Sequence, residues 1–67
     1  MNKFIQRFEE LRKEKEMNYF QIANATGISH VTIGRWVKGE TLPNLESIIV
    51  LCKFFGCTAG YLIGTED

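Results

Sequence analysis

The sequence has few of the residues that build disulfide scaffolds, metal sites or membrane spans. Its two cysteines and single histidine are too few for a disulfide framework and lack zinc-site spacing. The longest apolar run, Ile48 to Cys52, is far shorter than the roughly 20 residues of a membrane helix, and the start is too charged for a secretory signal. We therefore expect a cytoplasmic protein with no metal, cofactor or membrane contact, in which Cys52 and Cys57 are packing residues.

Length and charge limit the function further. We expect the 67 residues to form one small domain, residues 1–67, and the 45% hydrophobic content is too high for a disordered tail. Eight Lys and Arg residues balance eight Asp and Glu residues, so the net charge of zero neither supports nor excludes nucleic-acid binding. The sequence contains no acid, base and nucleophile set at workable spacing and no evident small-molecule site. We therefore expect no enzymatic activity.

Apolar residues at helical spacing predict an all-α fold of five short helices. The first is predicted over residues 2–15, with Asn2 as a candidate N-cap. Its core stripe comprises Phe4, Ile5, Phe8 and Leu11. A fourth helix is predicted from about Leu45 to Phe55. Its core stripe comprises Leu45, Ile48, Leu51, Cys52 and Phe55.

Polar caps and glycines predict the other helix boundaries. Asn18 followed by Gln21 indicates a capping box at the start of a second helix, and Gly27 indicates its end. Ser29 is a good N-cap for a third helix over residues 30–38, which Gly39 ends. Gly56 indicates the end of the fourth helix, and Thr58 is the predicted cap of a last short turn that ends at Gly64.

Residues 19–38 have the pattern of two short helices joined by a tight turn. Ala23 allows a close helix crossing, Gly27 permits a positive φ in the turn, and Ile28 can fill the wedge between the helices. Ile33 and Trp36 direct one face of the third helix into the core. This is a helix-turn-helix arrangement, whose second helix can enter a major groove. The opposite face of that helix carries His30, Val31, Thr32, Gly34, Arg35 and Lys38.

Five motifs follow one another along almost the whole chain. They are F-x-x-L-R-x-x-K at 8–15, A-x-x-x-G-I-S at 23–29, T-I-x-R-W-x-x-G at 32–39, P-x-L-E-x-I at 43–48 and Y-L-I-G at 61–64. This ordered set resembles the Cro/C1-type (xenobiotic-response-element) helix-turn-helix family, which includes phage repressors. The resemblance implies a lambda-repressor-like domain that binds double-stranded DNA, usually as a dimer, and regulates transcription.

The same resemblance implies roles for individual side chains. The residues that the resemblance implies for reading bases are His30, Val31 and Arg35. Arg35 can donate two hydrogen bonds to guanine, and Val31 can contact a thymine methyl group. The residues suited to phosphate contacts are Tyr19, Ser29, Thr32 and Lys38. Gly34 either lets the helix approach DNA closely or occupies a tolerant position.

Two departures from the family pattern predict fewer phosphate contacts. Tyr19 stands where the family usually has glutamine, and Glu40 and Thr41 stand where lysine or arginine is common. No acidic residue occurs between Met17 and Gly39, so the zero net charge conceals a modest positive face. We expect DNA binding that depends more on base contacts than on bulk electrostatics.

Apolar residues remain after the core stripes are assigned. They are Ile49, Val50, Phe54, Tyr61 and Ile63. An exposed apolar patch often marks an interface, so we predict a symmetric homodimer contact here, with internal packing as the alternative. The predicted function is a sequence-specific regulator, a repressor on a pseudo-palindromic operator. The alternative is a protein-interaction module such as an antirepressor, which the neutral charge also fits.

Overall fold

Five α-helices make up the fold of residues 3–66, the part of the chain that the computed structural model describes. They are α1 (Phe4–Glu14), α2 (Tyr19–Thr26), α3 (His30–Val37), α4 (Leu45–Phe55) and α5 (Ala59–Ile63). These residues contain no strand, and the predicted all-α fold of five short helices is confirmed. Asn2, the predicted cap of α1, lies outside the described residues; Lys3 occupies the N-cap position and makes no side-chain capping bond.

The capping box of α2 has the predicted geometry. The Asn18 side-chain oxygen accepts a hydrogen bond of 2.8 Å from the backbone N–H of Gln21. In return, the Gln21 side-chain oxygen accepts one of 2.8 Å from the backbone N–H of Asn18. Gly27 then ends the helix with φ of +77°, a left-handed conformation that favours glycine. Both ends of α2 are therefore determined by residues close to them in sequence.

Replacing Asn18 with alanine should lower the free energy of unfolding by about 0.5–2 kcal/mol, because α2 loses its capping box. Urea denaturation followed by circular dichroism measures this change. Asn24→Ala is the matched control, since Asn24 is exposed on the same helix. An equal loss of stability in the two variants would contradict the capping role.

Side-chain caps also begin the three later helices. Ser29 and Thr58 cap α3 and α5, as predicted. Asn44 caps α4 by accepting a 2.8 Å hydrogen bond from the backbone N–H of Ser47. The sequence pattern placed Asn44 in a turn with Pro43 and did not identify this cap.

All five helices contribute side chains to the core. Its fully or almost fully buried side chains are Phe4, Phe8, Ile22, Ile33, Trp36, Ile48, Leu51 and Leu62. The Trp36 ring meets Phe4 and Phe8 edge-on, with ring centroids 5.5 and 6.1 Å apart. Ile28 packs partly buried against this core, in agreement with its predicted place in the wedge between α2 and α3. Helix α3 is thus held to the core by Ile33 and Trp36.

The predicted core stripe of α4 is wrong at one residue, Leu45. Leu45 is 74% exposed, whereas Ile48 and Leu51 are buried and Cys52 and Phe55 pack partly buried against the core. Leu45 is the first residue of α4, so the apolar stripe extends one turn beyond the edge of the core.

A buried arginine joins the first helix to the last. Arg7 is only 8% exposed, and its guanidinium lies 4.2 Å from the centre of the Tyr61 ring. The Nη1 group donates to the backbone carbonyl of Tyr61 and, over 2.6 Å, to that of Glu66. These contacts hold α5 and the residues after it against α1.

Candidate nucleic-acid interface

The outer face of α3 presents the predicted base-reading side chains to solvent. Ile33 and Trp36 are buried beneath the helix, and His30, Val31 and Arg35 are exposed. Val31 and Arg35 are four residues apart and therefore share one side of the helix. The structure thus places three candidate base-reading residues on a rigidly supported, accessible helix.

The predicted phosphate-contacting residues occupy three different settings. Ser29 and Lys38 are exposed at the two ends of α3. The Ser29 hydroxyl oxygen accepts the 3.2 Å capping bond from the Val31 N–H, which leaves its O–H able to donate to a phosphate. Thr32 is partly buried and lines a groove between the helix-turn-helix turn and the start of α4. Glu46 lies in the same groove, so a carboxylate accompanies Thr32 there.

Tyr19, the fourth predicted phosphate contact, is held in a cluster with Glu9 and Arg12. Its hydroxyl donates to the Glu9 carboxylate, and the Arg12 guanidinium lies 4.6 Å from the centre of its ring. The Arg12 Nε group completes the cluster with a 2.7 Å bond to Glu9. Burial, followed by the hydrogen bond to Glu9, raises the pKa of the Tyr19 hydroxyl. The hydroxyl must leave this carboxylate before it can donate to a phosphate.

An aromatic pair lies where the N-terminal ends of α2 and α3 meet. The rings of Phe20 and His30 have centroids 4.5 Å apart and are inclined by 35°. Phe20 is 62% exposed although it is a large apolar side chain. Sequence reasoning missed both this pair and the Tyr19 cluster, because residues ten positions apart carry no local signal of contact.

The five residues of the predicted dimer surface differ in exposure. Ile49, Val50 and Ile63 are exposed. Phe54 and Tyr61 instead pack partly buried beneath cations, the first under Lys15 and the second under Arg7. Val50 borders the groove at the helix-turn-helix turn, whereas Ile63 borders an apolar cavity of about 140 Å³. The cavity is also lined by Phe4, Leu42, Pro43 and Ile48.

The two cysteines lie at the end of α4 and just beyond it, and both thiols are free. Burial, and then the neighbouring Cys52, raises the pKa of the Cys57 thiol, so this thiol stays protonated at neutral pH. Its setting fits the predicted packing role. Within residues 3–66, no cluster of three or more His, Cys, Asp or Glu side chains could hold a metal ion. No helix in this range is long and apolar enough to cross a membrane.

Gly34 lies inside α3, and a methyl group there would meet no atom within 4 Å from outside the helix backbone. Gly34→Ala should therefore raise the free energy of unfolding by about 1 kcal/mol, because alanine is the better helix former. Thermal and urea denaturation measure this effect. DNA titration of the same folded variant then separates the two interpretations of this glycine. Weaker binding indicates close approach to DNA, and unchanged binding indicates a tolerant position.

Known proteins resemble the chain over nearly its full length. A family model described as helix-turn-helix matches residues 8–62. The chain is 31% identical over 64 residues to the HTH-type transcriptional activator BcrR of Enterococcus faecalis, covering 96% of this chain and 31% of that protein. It is 30% identical over 64 residues to the cryptic phage CTXphi transcriptional repressor RstR of Vibrio cholerae, covering 96% of this chain and 58% of that protein.

Structural similarity agrees with the sequence matches. The crystal structure of a transcriptional regulator from Listeria innocua matches with a TM-score of 0.86 and 27% sequence identity. The match covers 100% of this chain and 63% of the other. The chain therefore spans less than two thirds of the length of each of these three relatives.

Proposed function

The chain belongs to the helix-turn-helix family, as a Cro/C1-type regulator, and we propose that it recognises a specific sequence in double-stranded DNA through α3. One observation carries this proposal. Ile33 and Trp36 fix α3 in the core while Arg35, Val31 and His30 remain exposed on its outer side. A helix supported in this way can lie in the major groove, where each base pair presents a distinct pattern of donors and acceptors.

We further propose that the protein is a repressor. The repressor RstR matches 96% of this chain at 30% identity, and this similarity supports repression. A domain bound in the major groove of a promoter can act by excluding other proteins from that site.

The proposed binding form is a homodimer on a pseudo-palindromic operator. The fold extends over 27 Å along its longest principal axis, which is less than the roughly 34 Å that separates successive major-groove half-sites. One copy therefore reads one half-site, and its eight-residue α3 reaches only a few base pairs. Exposed Ile49, Val50 and Ile63 on α4 and α5 supply apolar surface for a second copy.

Selection of bound duplexes from a random library, combined with light scattering on a sizing column, tests these proposals. We expect a selected motif of two inverted half-sites and a complex that contains two protein copies. A single half-site bound by a monomer would contradict the dimer. The absence of any selected motif would contradict sequence-specific recognition itself.

A protein-interaction module remains the second candidate, and the Tyr19 cluster is the observation that favours it. This cluster places the Glu9 carboxylate beside a predicted phosphate-binding position. Salt dependence distinguishes the two functions, because each phosphate neutralised by a cation contributes about −0.9 to the slope of log K against log salt. With Lys38 as the cationic phosphate contact, we expect a slope of about −2 for a dimer. A slope near zero would favour the interaction module.

A further inference from the structure

The Phe20 side chain is exposed and also contacts a residue of α3. It is 62% exposed, yet its ring lies against the His30 imidazole in a tilted arrangement with a centroid separation of 4.5 Å. Phe20 is the second residue of α2 and His30 is the first residue of α3. The pair therefore bridges the two helices at the end of α3 from which base contacts are expected.

The tilt of 35° between the rings has a chemical consequence for His30. The N–H and the lone pair of an imidazole lie in the plane of its ring, so a tilted ring against one face leaves both nitrogens open to hydrogen bonding. Among the described residues 3–66, neither of these nitrogens makes a hydrogen bond, and the Phe20 ring is the aromatic contact of the imidazole. An exposed histidine without such a contact samples several rotamers, and ordering it on binding costs conformational entropy.

We propose that Phe20 is a specificity-determining residue of the DNA interface, which positions the His30 imidazole for one base pair and presents its own ring to an adjacent thymine methyl group. The proposal rests on the proposed DNA-binding function. The exposed part of the Phe20 ring supplies the apolar contact, since aromatic side chains pack well on thymine methyl groups in the major groove. Phe20 and His30 thus act as one reading unit contributed by two helices.

The test uses Phe20→Leu, which keeps apolar bulk but removes the stacked ring, and Phe20→Tyr, which keeps the ring. Leu42→Ala is the matched control, because Leu42 is also a large exposed apolar residue, at 67% exposure. Each variant is first checked by circular dichroism for a wild-type fold. Duplex selection then gives the motif, and the base pair whose preference is lost in His30→Ala is the one that His30 reads. Titration of duplexes with each of the four base pairs at this position gives the preference of each variant.

We expect Phe20→Leu to reduce the preference at that base pair by roughly two- to tenfold, the range of an aromatic pair contact. Phe20→Tyr should retain more of this preference than Phe20→Leu, and Leu42→Ala should keep the wild-type preference. In a His30→Ala background, Phe20→Leu should cause no further loss of preference at this position, because the two residues then no longer act together.

Two results would overturn the proposal while leaving the proposed function intact. One is an unchanged motif for Phe20→Leu, and the other is a uniform loss of affinity for all sequences, which indicates a merely structural role. A wild-type protein that selects no motif overturns the proposed function as well, and this outcome is visible before any variant is made. The imidazole proton resonances of DNA-free protein provide a separate readout, since loss of the stacked ring should shift them.

Discussion

Replacing Trp36 with alanine should lower the free energy of unfolding by about 3–5 kcal/mol, the usual cost of deleting a large buried aromatic side chain. Trp36 is 2% exposed and meets the rings of Phe4 and Phe8 edge-on. A 67-residue domain typically has a total stability of about 3–10 kcal/mol. The loss is thus comparable to the whole stability, and we expect a largely unfolded variant. Because Trp36 anchors α3, the candidate interface should disappear with it.

Far-ultraviolet circular dichroism in urea is the suitable measurement, since Trp36 is the chain's single tryptophan and its fluorescence is lost in the variant. Leu45→Ala provides the control. Leu45 is 74% exposed, so its replacement should change stability by no more than about 0.5 kcal/mol. If the two substitutions had similar effects, the described core would be incorrect.

Arg35→Ala should remove discrimination at one base pair by about 1–3 kcal/mol, or roughly 5- to 150-fold in relative affinity. Arg35 is exposed on α3, and the ion pair found among residues 3–66 joins Arg12 to Glu9 instead. The Arg35 guanidinium is therefore available for two parallel hydrogen bonds to guanine. Titration of the selected duplex and its single-base variants measures the change.

Two further variants show whether the Arg35 effect is specific. Arg35→Lys keeps the charge but loses the paired donors, so most of the discrimination should still be lost. Lys38→Ala should instead weaken binding to all sequences equally and make the salt slope shallower by about 1 per copy. If Arg35→Ala also weakened binding to all sequences equally, Arg35 would be a phosphate contact and not a base-reading residue.

Helix boundaries were predictable from the sequence because the interactions that set them are local. The capping box of Asn18 and Gln21 spans four residues, and the left-handed Gly27 ends α2 by its own backbone conformation. Asn44 shows the limit of such signals. An asparagine after proline suits a turn as well as a helix N-cap, and only the position of α4 distinguishes the two.

The surroundings of the site residues were less predictable than their positions. Helical periodicity identifies which face of α4 is apolar but not where the core ends, and for this reason Leu45 was misplaced. The contacts of Tyr19 with Glu9 and of Phe20 with His30 each join residues ten apart on different helices. These contacts depend on how the helices pack against each other, and the spacing of residues within one helix does not predict that packing.

The shortest helix, α5, is held by Arg7, a residue far away in the sequence. A five-residue helix such as α5 is too short to persist by itself in water. Arg7 donates to the carbonyl of Tyr61 in α5, 54 positions away, and to that of Glu66 beyond the helix, 59 positions away. We therefore expect α5 to form only when α1 is in place. The amide protons of α5 should therefore exchange with solvent through concerted opening of both helices. Any assembly that uses Ile63 would slow this exchange, which links subunit association to the opening of the fold.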